Sequence, residues 1–153
     1  DTFVPASKQV GQMQTLLENL YKQETTFGET DFSALCGHLG KHVNKRSFLV
    51  LYTNFSNMTS LNRQLVYLQQ LARQHRVLVV FFEDVDLKEY IAGKSATTEE
   101  YYRHVIAEKF AFEKRLIVST LKQHGIYSLL TTPDKLSIDV INKYLEMKSR
   151  QLL

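Results

Sequence analysis

Two short stretches of the chain are almost wholly apolar, and each ends abruptly at polar residues. Phe48–Thr53 is followed by Asn54, and Val77–Phe82 is followed by the acidic pair Glu83-Asp84. A strand with apolar side chains on both faces is typical of a parallel sheet that is covered on both sides. We therefore predict that both stretches are buried parallel strands, the first with the pattern of a central strand.

The remaining segments predict helices between the strands. Their apolar residues recur at helical spacing, and the predicted helices begin near Ser7, Thr30 or Asp31, Ser60, Leu87, Thr98 and Leu136. A third strand, Ile126–Leu130, is interrupted by Ser128 and is expected near a sheet edge, after a helix closed by Gly125. The alternating order predicts a Rossmann-like α/β fold, a three-layer parallel sheet with helices on both faces.

Three helices are expected to bury one apolar stripe each. The inward residues are predicted to be Val10, Met13, Leu16, Leu17 and Leu20 in the first helix, Tyr102, Val105, Ile106, Phe110, Ile117 and Leu121 in the long one, and Ile138, Ile141, Tyr144 and Leu145 in the last.

Composition and charge narrow the class of protein. The chain has 153 residues, 44% hydrophobic and 23% charged, which suits one globular domain. Its net charge of +3 comes from dispersed Lys and Arg residues, so we predict no dedicated nucleic-acid surface. Cys36 is the single cysteine, which favours a reducing, cytoplasmic compartment. The chain starts at Asp1 without an initiator Met, and we expect a cut inside a longer protein.

The carboxyl edge of the predicted sheet carries the candidate ligands. Parallel strands end on one edge, where open α/β sheets bind their ligands. One interpretation is a divalent metal site formed by Thr30, Asn54, Ser56, Asp84 and Asp86, all with hard oxygen ligands. The other is that Asn54 caps a turn and the acids lie in a solvated loop. The second is favoured because hydroxyl and amide ligands are neutral.

Other constellations give weaker signals. His38 and His42 are spaced as metal ligands but lack the Glu of the zinc-protease motif, and Cys36 is best explained as a small core residue. His75 and His124 lie in connections and are predicted to be solvated. The sequence has no nucleophile elbow, phosphate-binding loop or dinucleotide fingerprint, so we predict a protein without enzymatic activity.

Several segments in order resemble one family. They are Phe3–Pro5, Leu16–Tyr21, Glu29–Phe32, Arg46–Phe55, Leu71–Val77 and Ile141–Lys148. Together they are similar to the bacterial DUF58 proteins, which carry a von Willebrand factor A-like domain. The resemblance runs along nearly the whole chain and implies that 1–153 is the C-terminal part of one such domain, truncated upstream.

The resemblance implies an adhesion-type metal site at the top of the sheet. Thr30 matches the family's Thr, and Asn54 stands where an Asp would be. The family's Asp-x-Ser-x-Ser loop would lie before Asp1. The implied site is therefore degenerate, with Mg²⁺ expected only in the complete domain. The family's first strand would also be missing, which would leave Phe48–Thr53 with an open edge available for self-association.

The resemblance also implies a function. We expect a non-enzymatic protein-interaction module that works with a MoxR-type AAA+ ATPase, within a membrane-anchored bacterial protein whose domain is cytoplasmic. Thr53, Ser56, Asp84 and Asp86 would form the contact edge for the partner. The alternative is a magnesium-dependent hydrolase or phosphoryl-transfer enzyme that uses Glu83, Asp84 and Asp86.

Overall fold

The computed structural model describes residues 2–5, 7–8, 10–24, 30–55, 57–83, 85–93 and 97–152, without the side chains of residues 86, 88, 89 and 92. The chain divides into two compact units, Asp1–Thr30 and Asp31–Leu153.

The described residues of the first unit contain one helix, α1 (Gln12–Tyr21). The predicted start at Ser7 is wrong, because Gly11 occupies the N-cap position with a φ of 102°, a left-handed conformation that glycine adopts without strain. The Gln12 side chain donates a hydrogen bond to the carbonyl of Pro5 (2.9 Å), and that of Gln23 donates to the Thr2 hydroxyl (3.1 Å). No residue of α1 is buried, so its predicted stripe of buried side chains is wrong.

The second unit is built on a parallel sheet. Its strands are β1 (Phe48–Tyr52), β2 (Arg76–Phe82) and β3 (Tyr127–Thr131), hydrogen-bonded in the order β1-β2-β3. The edge position predicted for the third strand is confirmed. The first stretch was expected to be buried on both faces, but β1 is only half-buried because it too lies at an edge of this sheet. Buried residues fill β2 from Val77 to Phe81.

In the described part of the second unit, five helices and a short 3₁₀ turn accompany the sheet: α2 (Phe32–His42), α3 (Met58–Gln74), α4 (Val85–Ala92), α5 (Thr98–Gln123), the turn Pro133–Lys135 and α6 (Leu136–Ser149). The start predicted for the long helix α5 at Thr98 is confirmed, and Gly125 follows the helix with a φ of 72°. The mixed α/β fold is therefore the expected one, a parallel sheet flanked by helices.

Side-chain caps explain where the helices begin. Asp31 caps α2 by accepting a hydrogen bond from the Ala34 amide (2.9 Å). Asn57, rather than the predicted Ser60, caps α3, because the Asn57 side chain reaches the Ser60 amide (2.9 Å). The Ser60 hydroxyl completes a reciprocal capping box, so a serine at this position is useful without being the cap.

The strand register separates two layers of side chains. Val77, Val79 and Phe81 of β2 join the main core with residues of α3 and α5. The alternating Leu78 and Val80 point to the opposite face. On that face α6 packs, since the rings of Phe48 and Tyr144 lie 5.8 Å apart. The three-layer arrangement of helix, sheet and helix follows.

The outer half of α5 and most of α6 depart from the predicted stripes. Tyr102, Val105, Ile106 and Phe110 are exposed, as are Ile138, Ile141, Tyr144 and Leu145, whereas Ile117 and Leu121 are buried as predicted. The apolar residues of α5 span more than half of its circumference, and a helix packs only one side against a sheet. Ala107, which shares a side with Ile117 and Leu121, is the residue that faces inward.

Phe55 links the end of β1 to the core. Its ring is 5% exposed and lies 5.8 Å from the rings of both Phe32 and Phe81. It therefore fastens the loop after β1 to both α2 and the central strand.

We predict that Phe55→Ala lowers the free energy of unfolding by about 3–5 kcal/mol, the usual cost of emptying a buried phenylalanine site. Urea denaturation followed by circular dichroism measures the change. Phe110→Ala, at an exposed phenylalanine, is the matched control and should cost less than about 1 kcal/mol. Equal losses in the two variants would contradict the assignment of Phe55 to the core.

Candidate functional site

The three strand ends are held level at one edge of the sheet. The Thr53 amide donates to the carbonyl of Val80 (3.2 Å), and the Glu83 amide donates to the carbonyl of Thr131 (2.9 Å). Asn54 is exposed and lies between the half-buried Thr53 and the buried Phe55. Its backbone is therefore held on both sides, which fixes the place from which its amide side chain projects.

A lysine from α5 ties two of these strand ends together. Lys114 Nζ donates to Asn54 Oδ1 (2.7 Å) and to the main-chain oxygen of Phe82 (2.8 Å). Both bonds are charge-assisted, and such bonds are stronger than those between neutral groups. The chain thus supplies its own cation to oxygen atoms at the carboxyl edge, the kind of ligand atoms that the sequence suggested for a metal.

The bond from Lys114 bears directly on the predicted metal site. A divalent ion on Asn54 Oδ1 would lie next to the ammonium group, and two positive charges at such a distance repel each other. A carboxylate at position 54 would help to offset that repulsion, whereas an amide carries no net charge. The site chemistry therefore favours the internal ammonium over a metal ion.

The structure brings together only part of the predicted ligand set. Thr53 and Asn54 lie at the end of β1, with Glu83 at the end of β2. Thr30 belongs to the first unit. Ser56, Asp84 and the side chain of Asp86 lie outside the described residues. The metal site of Thr30 and Asn54 stays a prediction.

A cleft of about 590 Å³ opens beside the lysine, between α4, α5 and the ends of β2 and β3. Its apolar lining consists of Leu87, Ile91, Ala111, Phe112 and Leu130, and its charged lining consists of Glu83, Glu108, Lys114 and Arg115. The volume lies within the range of small-molecule pockets. Acidic and basic groups occur in equal number, so the cleft has no single charge to select a ligand.

The sequence did not reveal that α5 contributes to this edge. Lys114 and Asn54 are 60 positions apart, and a lysine within a long helix is usually solvated. One signal was available: the helical turn that contains Lys114 also approaches the buried face that holds Ile117 and Leu121. That signal places Lys114 near the sheet but does not identify its partners.

The opposite edge of the sheet contains a buried histidine. His75 is 3% exposed, and its Nδ1 accepts a hydrogen bond from the Ser47 amide (3.3 Å). The prediction that His75 is solvated is wrong, because the ring is buried where α3 ends and contacts the segment that leads into β1. His124 is exposed and contacts the Gln69 side chain (2.9 Å).

Cys36 lies against the core, as predicted. Its Sγ is 3.6 Å from the carbonyl oxygen of Tyr67. Burial raises the pKa of the Cys36 thiol.

The rings of His38 and His42 lie 4.4 Å apart. In the described part of the chain, no group of three His, Cys, Asp or Glu side chains could hold a metal ion.

Comparisons with known proteins were made for the whole chain. No family model matches it, and searches of curated proteins and of solved structures found no significant match. The DUF58 and von Willebrand factor A-like resemblance therefore stays a prediction. Among the described residues, no helix has the length and apolar character needed to cross a membrane.

We predict that Lys114→Met lowers the free energy of unfolding by about 1–3 kcal/mol, because two oxygen atoms lose a charged donor. Denaturant unfolding monitored by tyrosine fluorescence measures the loss. Lys148→Met, on an exposed position of α6, serves as the control and should change stability by less than about 1 kcal/mol. A Lys114 variant as stable as this control would show that the cross-link is weak.

We predict that the Cys36 thiol reacts more slowly with iodoacetamide in the folded chain than in urea at the same mildly alkaline pH. The raised pKa leaves less reactive thiolate, and packing limits access. Mass spectrometry of timed samples gives both rates. Equal rates would show that the thiol is free in the folded protein.

Proposed function

We propose that the chain is a non-enzymatic protein-interaction module whose contact surface is the carboxyl edge of its sheet. The observation that carries the proposal is the Lys114 ammonium, which binds Asn54 Oδ1 and the Phe82 carbonyl. A partner can dock on an edge whose oxygen atoms already have a cation, without a metal ion as bridge. Thr53 and Asn54, with Ser56, Asp84 and Asp86, are the proposed contact residues.

The strand beside this edge supports a protein partner. Within the described sheet β1 pairs with β2 on one side only, and Tyr52 at its end is 57% exposed. An extended peptide can add to such an open strand by main-chain hydrogen bonds, and side chains at the strand end then supply specificity. Pairing of two copies through Phe48–Thr53 uses the same chemistry.

The partner and setting that we propose come from the family resemblance. The module would belong to a larger, membrane-associated bacterial protein, with this domain in the cytoplasm and a MoxR-type AAA+ ATPase as its partner. Mg²⁺ would bind only in a complete domain, where further ligands offset the repulsion by Lys114.

A magnesium-dependent hydrolase or phosphoryl-transfer enzyme is the second candidate function. The cleft of about 590 Å³ favours it, since the Glu83 side chain lines this cleft. Glu83, Asp84 and Asp86 would hold the metal, and Lys114 or Arg115 would face an anionic substrate. This candidate ranks second because the sequence offers no nucleophile with a neighbouring base.

We predict that the chain binds a purified MoxR-type AAA+ ATPase and that EDTA leaves this affinity unchanged. Asn54→Lys should weaken binding at least about tenfold, because it places a second positive charge against Lys114. Biolayer interferometry measures the affinities, and Asn142→Lys on the exposed side of α6 is the control with the same charge change.

The outcome separates the two candidates. Binding that requires Mg²⁺ would contradict the metal-free contact. Magnesium-dependent release of phosphate from a model phosphoester, abolished by Asp84→Ala, would replace the module by the enzyme.

A further inference from the structure

The outer face of α5 carries a stripe of apolar side chains that the second unit covers only in part. Its members are between 40% and 65% exposed: Tyr101, Tyr102, Val105, Ile106, Phe112 and Leu116. The inner side of the same helix, with Ala107, Ile117 and Leu121, packs against the core. Exposed apolar surface of this extent marks interaction sites in proteins.

The stripe follows a heptad pattern. Tyr102, Lys109 and Leu116 are seven residues apart and occupy the a positions, while Val105, Phe112 and Ser119 occupy the d positions. An apolar a/d seam is the pattern by which one helix packs along another. The ammonium group of a lysine at a central a position is not stabilised by apolar neighbours. The helix that packs on this seam must therefore place a group that stabilises a positive charge opposite Lys109.

We propose that the occupant is a second copy of this chain, with the two α5 helices packed antiparallel about a two-fold axis. Antiparallel packing sets each a position against a d position of the other helix. Val105 then lies opposite Leu116 of the second copy, and Lys109 lies opposite Phe112. The ammonium of Lys109 can rest on an aromatic ring, which is a favourable cation–π arrangement.

Charge complementarity at the flanking g positions selects this orientation. In the antiparallel register Glu108 faces Arg115 of the second copy, and the two-fold axis repeats the pair. At the other g positions Tyr101 faces Lys122, where a neutral ring lies beside the cation and no like charges meet. Glu108 and Arg115 are both exposed and lie two turns apart within one helix, about 10 Å along the axis, so they do not pair with each other. Glu108 Oε1 lies 3.6 Å from Nε2 of His104 in its own helix, and because the Glu108 side chain is 60% exposed it can also reach Arg115 of the other copy.

A parallel pair of α5 helices would be penalised. It would set Lys109 against Lys109 in the seam and Glu108 against Glu113 at the flanks, which are like-charge contacts. The antiparallel pair avoids both contacts and closes after two copies, as isologous interfaces do. This surface is distinct from the open side of β1, although Glu108, Phe112 and Arg115 also line the cleft beside Lys114. The inference is argued from the spacing and charges of α5 and does not rest on the proposed function.

Charge-reversal variants of the complete chain test the proposal. We predict a dimer for the wild type by analytical ultracentrifugation in the micromolar range at low salt. Glu108→Arg and Arg115→Glu should each raise the dimer dissociation constant at least about tenfold, because each sets like charges against each other twice. An equimolar mixture of the two variants should recover dimers, since every Arg then faces a Glu.

Circular dichroism of each variant establishes that the fold is retained, and Glu108→Gln controls for simple loss of charge. A monomeric wild type would overturn the proposal. So would dimers that neither single variant weakens, since these would form through another surface such as the edge of β1. Variants that stay monomeric when mixed would overturn the antiparallel register.

A cross-linking experiment tests the register directly. In a Cys36→Ser background, Val105→Cys combined with Leu116→Cys should give a disulfide-linked dimer on mild oxidation. Each single cysteine variant should remain uncoupled, because its copies would lie about 16 Å apart along the helix axis. Equal cross-linking by the single variants would contradict the proposed pairing.

Discussion

Burial of β2 on both faces is the constraint on which the rest of the second unit depends. Its residues from Val77 to Phe81 are buried, and each of its sides pairs with another strand. Because the side chains alternate, this one strand contributes to two packed layers. Val77, Val79 and Phe81 point toward α3 and α5, and Leu78 and Val80 point toward the face of α6. A slip of one residue would exchange these layers, so the register is strongly specified.

The same register determines the chemistry of the carboxyl edge. Parallel strands in fixed register end together, and their last main-chain carbonyls need donors. Lys114 supplies one of them to Phe82 and also reaches Asn54. A lysine is a permanent part of the chain, whereas a metal ion exchanges with solvent. An edge organised by an ammonium group therefore keeps its internal contacts at all metal concentrations.

The parts of the fold that could be predicted are those with local causes. The uninterrupted apolar run of β2, the glycine that follows α5, and Ser128 at the edge strand each act within a few residues. Contacts between distant positions could not be predicted. Lys114 meets Asn54 across 60 positions, and His75 becomes buried through packing that its polar neighbours do not reveal. Of the candidate site, Asn54 could be predicted from the sequence, whereas Lys114, which donates a hydrogen bond to it, could not.

The two sides of α5 explain why the buried apolar stripe predicted for this helix is wrong in its N-terminal half. A helix that packs only against its own sheet needs one apolar side, and its hydrophobic residues then identify that side. Here the residues that face inward are small or sparse in the N-terminal half, with Ala107 as the buried member, while the larger residues Tyr102 and Val105 face outward. Large apolar side chains on the outer side do not stabilise the monomer by burial. Their heptad spacing, with Glu108 and Arg115 placed as complementary flanks, is accounted for when that side is an interface.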